Sequence, residues 1–210
     1  THVMIKDWVP DEYQKTLVLS ANEDENHLYF YYSIANNEGV WFIGHYTQNI
    51  NNPTAYDTFL EKGDVDLQGK EIAATRPLDL SEDGFEFSHA IINDGTTPKT
   101  VDSLDEAKGN ITASGLKIEV FYNRIKYPYK IVCLNKETNA VLQEVVFNTD
   151  DKLQPYGKTI LLETIPGIDG YDYKSSGPCT IVKDDKNNIT KNIIYAYYTE
   201  ETVIIDFKVV

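Results

Sequence analysis

Two cysteines and four histidines are the side chains in this 210-residue sequence best suited to redox, nucleophilic or metal chemistry, and their spacing organises little of it. Cys133 and Cys179 lie 46 positions apart. A disulfide closing that loop would stabilise the fold by about 4 kcal/mol in the chain-entropy treatment. Two buried free thiols on different strands are the alternative, and since geometry decides between them the spacing leaves both open. His2, His27, His45 and His89 are scattered without a spaced ligand pair, so no metal site is expected from them. The acidic turns Asp150-Asp151 and Asp184-Asp185 lack the alternating oxygen ligands and central glycine of a dedicated calcium loop and read as solvated turns. Gly157-Lys158-Thr159 resembles the end of a phosphate-binding loop, but position 152, where that motif requires glycine, is lysine. With no nucleophile elbow, paired catalytic carboxylates or Cys and His combination, the reading is non-catalytic, with no cofactor.

Aromatic side chains offer a different chemistry. Trp41, Tyr46, Tyr127 and Tyr129 are candidates for stacking against the apolar face of a sugar, although most strand aromatics serve a core. The formal charge of −14 repels phosphate backbones and anionic headgroups, so nucleic acid is not an expected partner. No run of 18 apolar residues is present, so insertion into a membrane is not expected either. Asn110-Ile111-Thr112 and Asn188-Ile189-Thr190 match the N-glycosylation pattern but are read as turns leading into strands.

These residues must be held by strands. Fifteen Tyr, eight Phe and abundant Val, Ile and Thr favour β structure, and no long 3.6-period run appears. Three alternating segments close on an aromatic pair: Leu28 to Tyr32, Ile118 to Tyr122 and Ile194 to Tyr198. Turn-forming residues precede each, at 22–26, 112–115 and 184–188, and with leading strands at Lys15–Ser20 and Thr180–Lys183 they predict a recurrent hairpin. Gly69-Lys70 matches Gly157-Lys158, Asp83-Gly84-Phe85 matches Asp169-Gly170-Tyr171, and Val40–Tyr46 is set more loosely against Tyr129–Leu134. The endings are spaced by 90 and then 76 residues, which places an insertion in the earlier unit, around Asn93–Gly109. There Asp102 to Glu106 carries a helix-start pattern that Gly109 could stop after one turn. Asn52-Pro53 and Gly63 could bracket another short helix, whereas the matching stretch Val141–Phe147 reads as a strand. The resulting organisation is residues 1–35 as the second half of a repeat, 36–124 as a repeat with an insertion, 125–199 as a second repeat, and 200–210 as the first strand of a following one or an edge strand.

The sequences Ile165-Pro166-Gly167-Ile168-Asp169-Gly170-Tyr171 and Asn188-Ile189-Thr190 through Tyr198, after a Tyr156-Gly157-Lys158 turn, resemble the MucBP (mucin-binding protein) repeats of Gram-positive cell-wall-anchored surface proteins. The first long unit lacks the Ile-Pro-Gly step. The resemblance implies a mainly β chain of tandem β-grasp-like or sandwich-like modules with minor short helices. It implies an extracellular protein on the bacterial cell wall, cut here from a longer array, monomeric and elongated, an adhesin that binds host mucin or other glycans weakly and multivalently. A pure spacer presenting another domain, or a carbohydrate-binding appendage of a secreted enzyme, are the alternatives.

Overall fold

Along Leu116–Arg124 every second side chain vanishes from solvent: Leu116, Ile118, Val120 and Tyr122 are all fully buried, with Lys117, Glu119 and Phe121 between them. That period of two is what a strand with one face on a core requires. The computed structural model describes residues 5, 8–10, 15–22, 24, 26–34 and 38–202. It is mainly β and divides into two compact units, residues 1–81 with 85–123, and residues 82–84 with 124–210.

In the first unit, β1 (Trp8–Pro10) pairs antiparallel with β2 (Tyr32–Ile34). The main sheet is built from β3 (Glu38–Gln48), β4 (Tyr56–Leu67), β6 (Phe85–Asn93), β7 (Lys99–Val101) and β9 (Leu116–Arg124), in the order β4-β3-β9-β6-β7. β3 and β4 form a hairpin, while β3 and β9 run parallel, Ile43 beside Ile118 and His45 beside Val120. A separate ribbon of β5 (Glu71–Ala73) and β8 (Lys108–Asn110) contributes the flanking Ala74, Ala107 and Ile111 to the core on the sheet's inner face, with Ile43, Ala90, Ile92, Leu116, Ile118, Val120 and Tyr122.

The second unit has β10 (Lys126–Tyr127), β11 (Tyr129–Asn135), β12 (Val141–Phe147), β13 (Gln154–Pro155), β14 (Thr159–Ile160), β15 (Tyr171–Ser176), β16 (Cys179–Thr180) and β17 (Ile193–Glu200). Its sheet order is β12-β11-β17-β15; β11 and β12 form a hairpin, and β11 runs parallel to β17, Ile131 beside Ile194. A ribbon of β14 with β16 stands apart, and Ile131, Cys133, Cys179, Ile194, Ala196 and Tyr198 fill the core.

The Gly-Lys landmarks adopt one conformation in both units, because each glycine must take a left-handed φ, +87° at Gly69 and +80° at Gly157. The bonds that follow are matched. Gly69 N–H donates to Ile111 O and Ile111 N–H to Lys70 O; Gly157 N–H donates to Ile181 O and Ile181 N–H to Lys158 O, all at 2.8–3.0 Å.

Several expectations change. The strands flanking the turns at 112–115 and 184–188 do not pair with each other: β8 and β16 belong to the ribbons, and β9 and β17 to the main sheets. Each turn therefore carries the chain from ribbon to sheet and is not a hairpin. Residues 15–20 and 26–31 form no regular strand. Val18, Leu19, Tyr29 and Tyr31 stay largely exposed, and none of them belongs to either core of the described residues. The helix considered between Asn52-Pro53 and Gly63 is instead β4, since Gln48 to Tyr56 closes a hairpin whose long register holds the segment extended. The inserted helix is a single 3-10 turn, Leu104–Glu106, with the Ser103 hydroxyl accepting from Asp105 N–H, and Gly109 lies inside β8. Of the C-terminal strand expected at 202–209, residues 203–209 lie outside the described residues.

Candidate functional site

Alternation along β3 sends Ile43 and His45 to the core and Tyr46 to the outward face. The Tyr46 ring leans back along the strand over Gly44, where a Cβ would come within 2.5 Å of its hydroxyl. Glu61 on β4 and Glu119 on β9 stand opposite Gly44 on its two sides. The Tyr46 hydroxyl donates to Glu61 at 3.1 Å, and the Glu119 carboxylate stands on its other side. Burial first, and then the two carboxylates, hold its phenol well above the usual tyrosine range.

Phe121, the outward neighbour of buried Tyr122, stacks on Tyr46 with ring centroids 5.2 Å apart. On its other side His89 from β6 stacks on Phe121 at 4.6 Å, and Tyr56 from β4 meets Phe121 edge-on at 5.0 Å. The Tyr56 hydroxyl donates to Asn123 Oδ1 at 2.7 Å. Four adjacent strands thus bring four partly exposed rings together, bordered by carboxylates and an amide. Cross-strand aromatic pairs strengthen a sheet by themselves; rings left partly open beside hydrogen-bonding groups are also what sugar recognition uses.

The four aromatics singled out from the sequence are not gathered in one place. Trp41 lies on the opposite face of β3 from Tyr46, against the first core, with the Lys62 ammonium 5.9 Å from its ring. Tyr127 donates its hydroxyl to the Asp83 carbonyl at 2.5 Å. Tyr129 packs on the second core, stacked on Phe147 at 4.4 Å, and lines a cleft of about 440 Å³ with Ile131, Ile160, Leu162 and Ile194. Only Tyr46 joins the outward cluster. Tyr56, His89 and Phe121 went unselected, although Phe121 was legible by parity, because the residue before a buried strand tyrosine must face the other way.

The inner faces carry a second polar feature. His45 and Tyr122 are both buried, and His45 Nδ1 lies 3.2 Å from the Tyr122 hydroxyl. Burial, with Lys62 adding to it, lowers the imidazole from 6.5 to about 4, so it is neutral at pH 7. Burial pushes the Tyr122 phenol up to about 12, opposed by the Arg76 guanidinium 5.2 Å from its ring. Arg76 donates to Ser81 O and Phe85 O, while its buried Nε finds no partner among the described residues. In the second unit Cys133 takes the sheet position of His45, and its thiol lies 4.0 Å from the hydroxyl of Tyr198, which donates to Pro166 O at 2.7 Å.

Both cysteines are free and buried, so the disulfide considered from the sequence is not formed. Cys133 sits beside Ala196 on the parallel partner strand, and both side chains are part of the second core. Burial raises both thiol pKa values, which lowers the thiolate fraction. Native protein is expected to resist alkylation at both positions and to take two labels after urea unfolding, as intact mass reads directly; a bridged pair would take none without reductant.

Among the described residues no group of three His, Cys, Asp or Glu side chains is placed to hold a metal ion, and no helix is long and apolar enough to cross a membrane. Neither a protein-family model nor a curated protein matches the chain.

Proposed function

We propose that the chain is a non-catalytic pair of β-grasp-like modules from the repeat region of an extracellular, cell-wall-anchored bacterial adhesin, binding host mucin or other glycans weakly and multivalently. The observation that carries the binding reading is the outward cluster of Tyr46, Tyr56, His89 and Phe121, four partly exposed rings edged by Glu61, Glu119 and Asn123. The modular reading is supported by the hairpin whose first strand runs parallel to the unit's last strand, present in both sheets, and by the matched Gly-Lys hydrogen bonds. At the position of Phe121 the second unit has Tyr197, with Tyr195 exposed two residues earlier. Weak sites repeated along an array raise avidity without a deep pocket in any one module.

The test is binding of the chain to immobilised mucin and to a glycan array. Tyr46→Ala and Phe121→Ala are each expected to weaken binding roughly tenfold, the scale of one aromatic contact. Gly44→Ala, which displaces the Tyr46 ring without removing it, should weaken binding in the same direction. If the native chain binds no glycan while these variants lose only stability, the cluster is sheet reinforcement and the chain a spacer.

A further inference from the structure

The charges around the cluster say more than its rings do. Glu61 and Glu119 stand on either side of Gly44, on the same face as the Tyr46 ring. Lys117, the cation on this stretch of β9, is spent on Glu119 at 2.8 Å and lies over the Phe42 ring at 5.9 Å. The carboxylate edge beside the rings is therefore Glu61 and Glu119, two acceptors whose combined charge Lys117 offsets only in part, within a chain of formal charge −14.

We infer that the outward face of the first unit selects glycans by charge, taking neutral or amine-bearing sugars and turning away those that carry carboxylate or sulfate groups. This rests on the glycan-binding reading of the same cluster. A neutral hexose has hydroxyl hydrogens to donate to Glu61 and Glu119 and an apolar face for the rings. A sialylated or sulfated sugar brings acceptors and a like charge to the same edge, where partial burial limits screening.

The experiment compares the chain's affinity for a neutral lactose-terminated glycan and for its sialylated counterpart. Binding of the neutral form is expected to be roughly tenfold tighter at low salt, and the gap should close as salt screens the repulsion. Glu61→Gln with Glu119→Gln should also close it, mainly by admitting the sialylated glycan. Because the salt series uses the native chain, it does not depend on the variants folding. Equal affinity for both glycans at low salt, or a gap indifferent to salt, would overturn the charge selection and leave the glycan-binding face standing. Failure to bind either glycan at any salt would remove the binding reading and this inference with it.

Discussion

Acidification from pH 7 to pH 4 is expected to cost the first unit about 3 kcal/mol through His45 alone. The imidazole titrates near 6.5 when the chain is unfolded and near 4 when folded. Between those values the unfolded state binds more protons, so the contribution is complete above pH 6.5 and is lost as the pH falls through 4. The physical cause is the company His45 keeps. It is buried against Tyr122 on β9, it faces Lys62 across the hairpin, and the Arg76 guanidinium already occupies the other side of the Tyr122 ring. A proton on His45 adds a second cation to a space where the first leaves its Nε unpaired among the described residues. The second unit has Cys133 and Tyr198 in the same places and gains no charge in this range. Both tryptophans, Trp8 and Trp41, belong to the first unit, so urea unfolding followed by tryptophan fluorescence reports on it selectively. His45→Cys, which copies the second unit's pair, should lose some stability at pH 7 and flatten the pH dependence by about 3 kcal/mol. A variant whose unfolding midpoint keeps the native dependence on pH would show that another group carries it.

How much of this was legible in the sequence depended on whether a residue's role was local. The Gly-Lys turns could be found because left-handed glycines are written into the chain at fixed distances from their strands. The aromatic endings at Tyr122 and Tyr198 could be found because alternation is a property of the strand itself. The ending at Tyr31-Tyr32 carries the same local signal and is not used in the same way, because burial is decided by what packs opposite, and alternation says nothing about that. Strand pairing is not legible locally for a similar reason. A turn between two β-runs looks like a hairpin whether or not the strands then join one sheet, and here the longer-range parallel pairings of β3 with β9 and β11 with β17 claim the second strand of each pair. The outward cluster combines strands that span residues 46 to 121, so selecting aromatics segment by segment found Tyr46 and missed the partners that give it a context.

Replacing Asn192 should damage the second unit more than any surface change. Its side chain is fully buried and makes three bonds to backbone: Nδ2 donates to Pro128 O at 2.9 Å and Val182 O at 2.8 Å, and Oδ1 accepts from Val182 N–H at 2.9 Å. It thereby ties the start of β11, the segment after β16 and the start of β17 to one point. The loop before it is prepared by Asp184, whose carboxylate accepts from the N–H groups of Thr190, Lys191 and Asn192. Burial pushes that carboxyl up, but the backbone donors outweigh it and hold its pKa below the usual value. In the first unit the same sheet position is Leu116, which fills the core by contact alone, while Thr112 secures the turn by donating to Asp94 O and Gly115 O. Asn192→Ala leaves buried Pro128 O and the part-buried carbonyl and N–H of Val182 without this partner, at up to about 1–3 kcal/mol each before relaxation and water entry, so a loss of about 3–5 kcal/mol is expected. Asn192→Asp should be at least as damaging at pH 7, since it turns a carboxylate oxygen toward two carbonyl oxygens. Asn192→Leu, copying Leu116, separates the two contributions: it restores contact area but no hydrogen bond, and should recover little. Thermal unfolding followed by far-ultraviolet circular dichroism, with amide exchange at Val182 and Ile193 as the local probe, measures each. If Asn192→Leu proves as stable as the native chain, the segments around β11, β16 and β17 are held by packing, and the three hydrogen bonds merely accompany it.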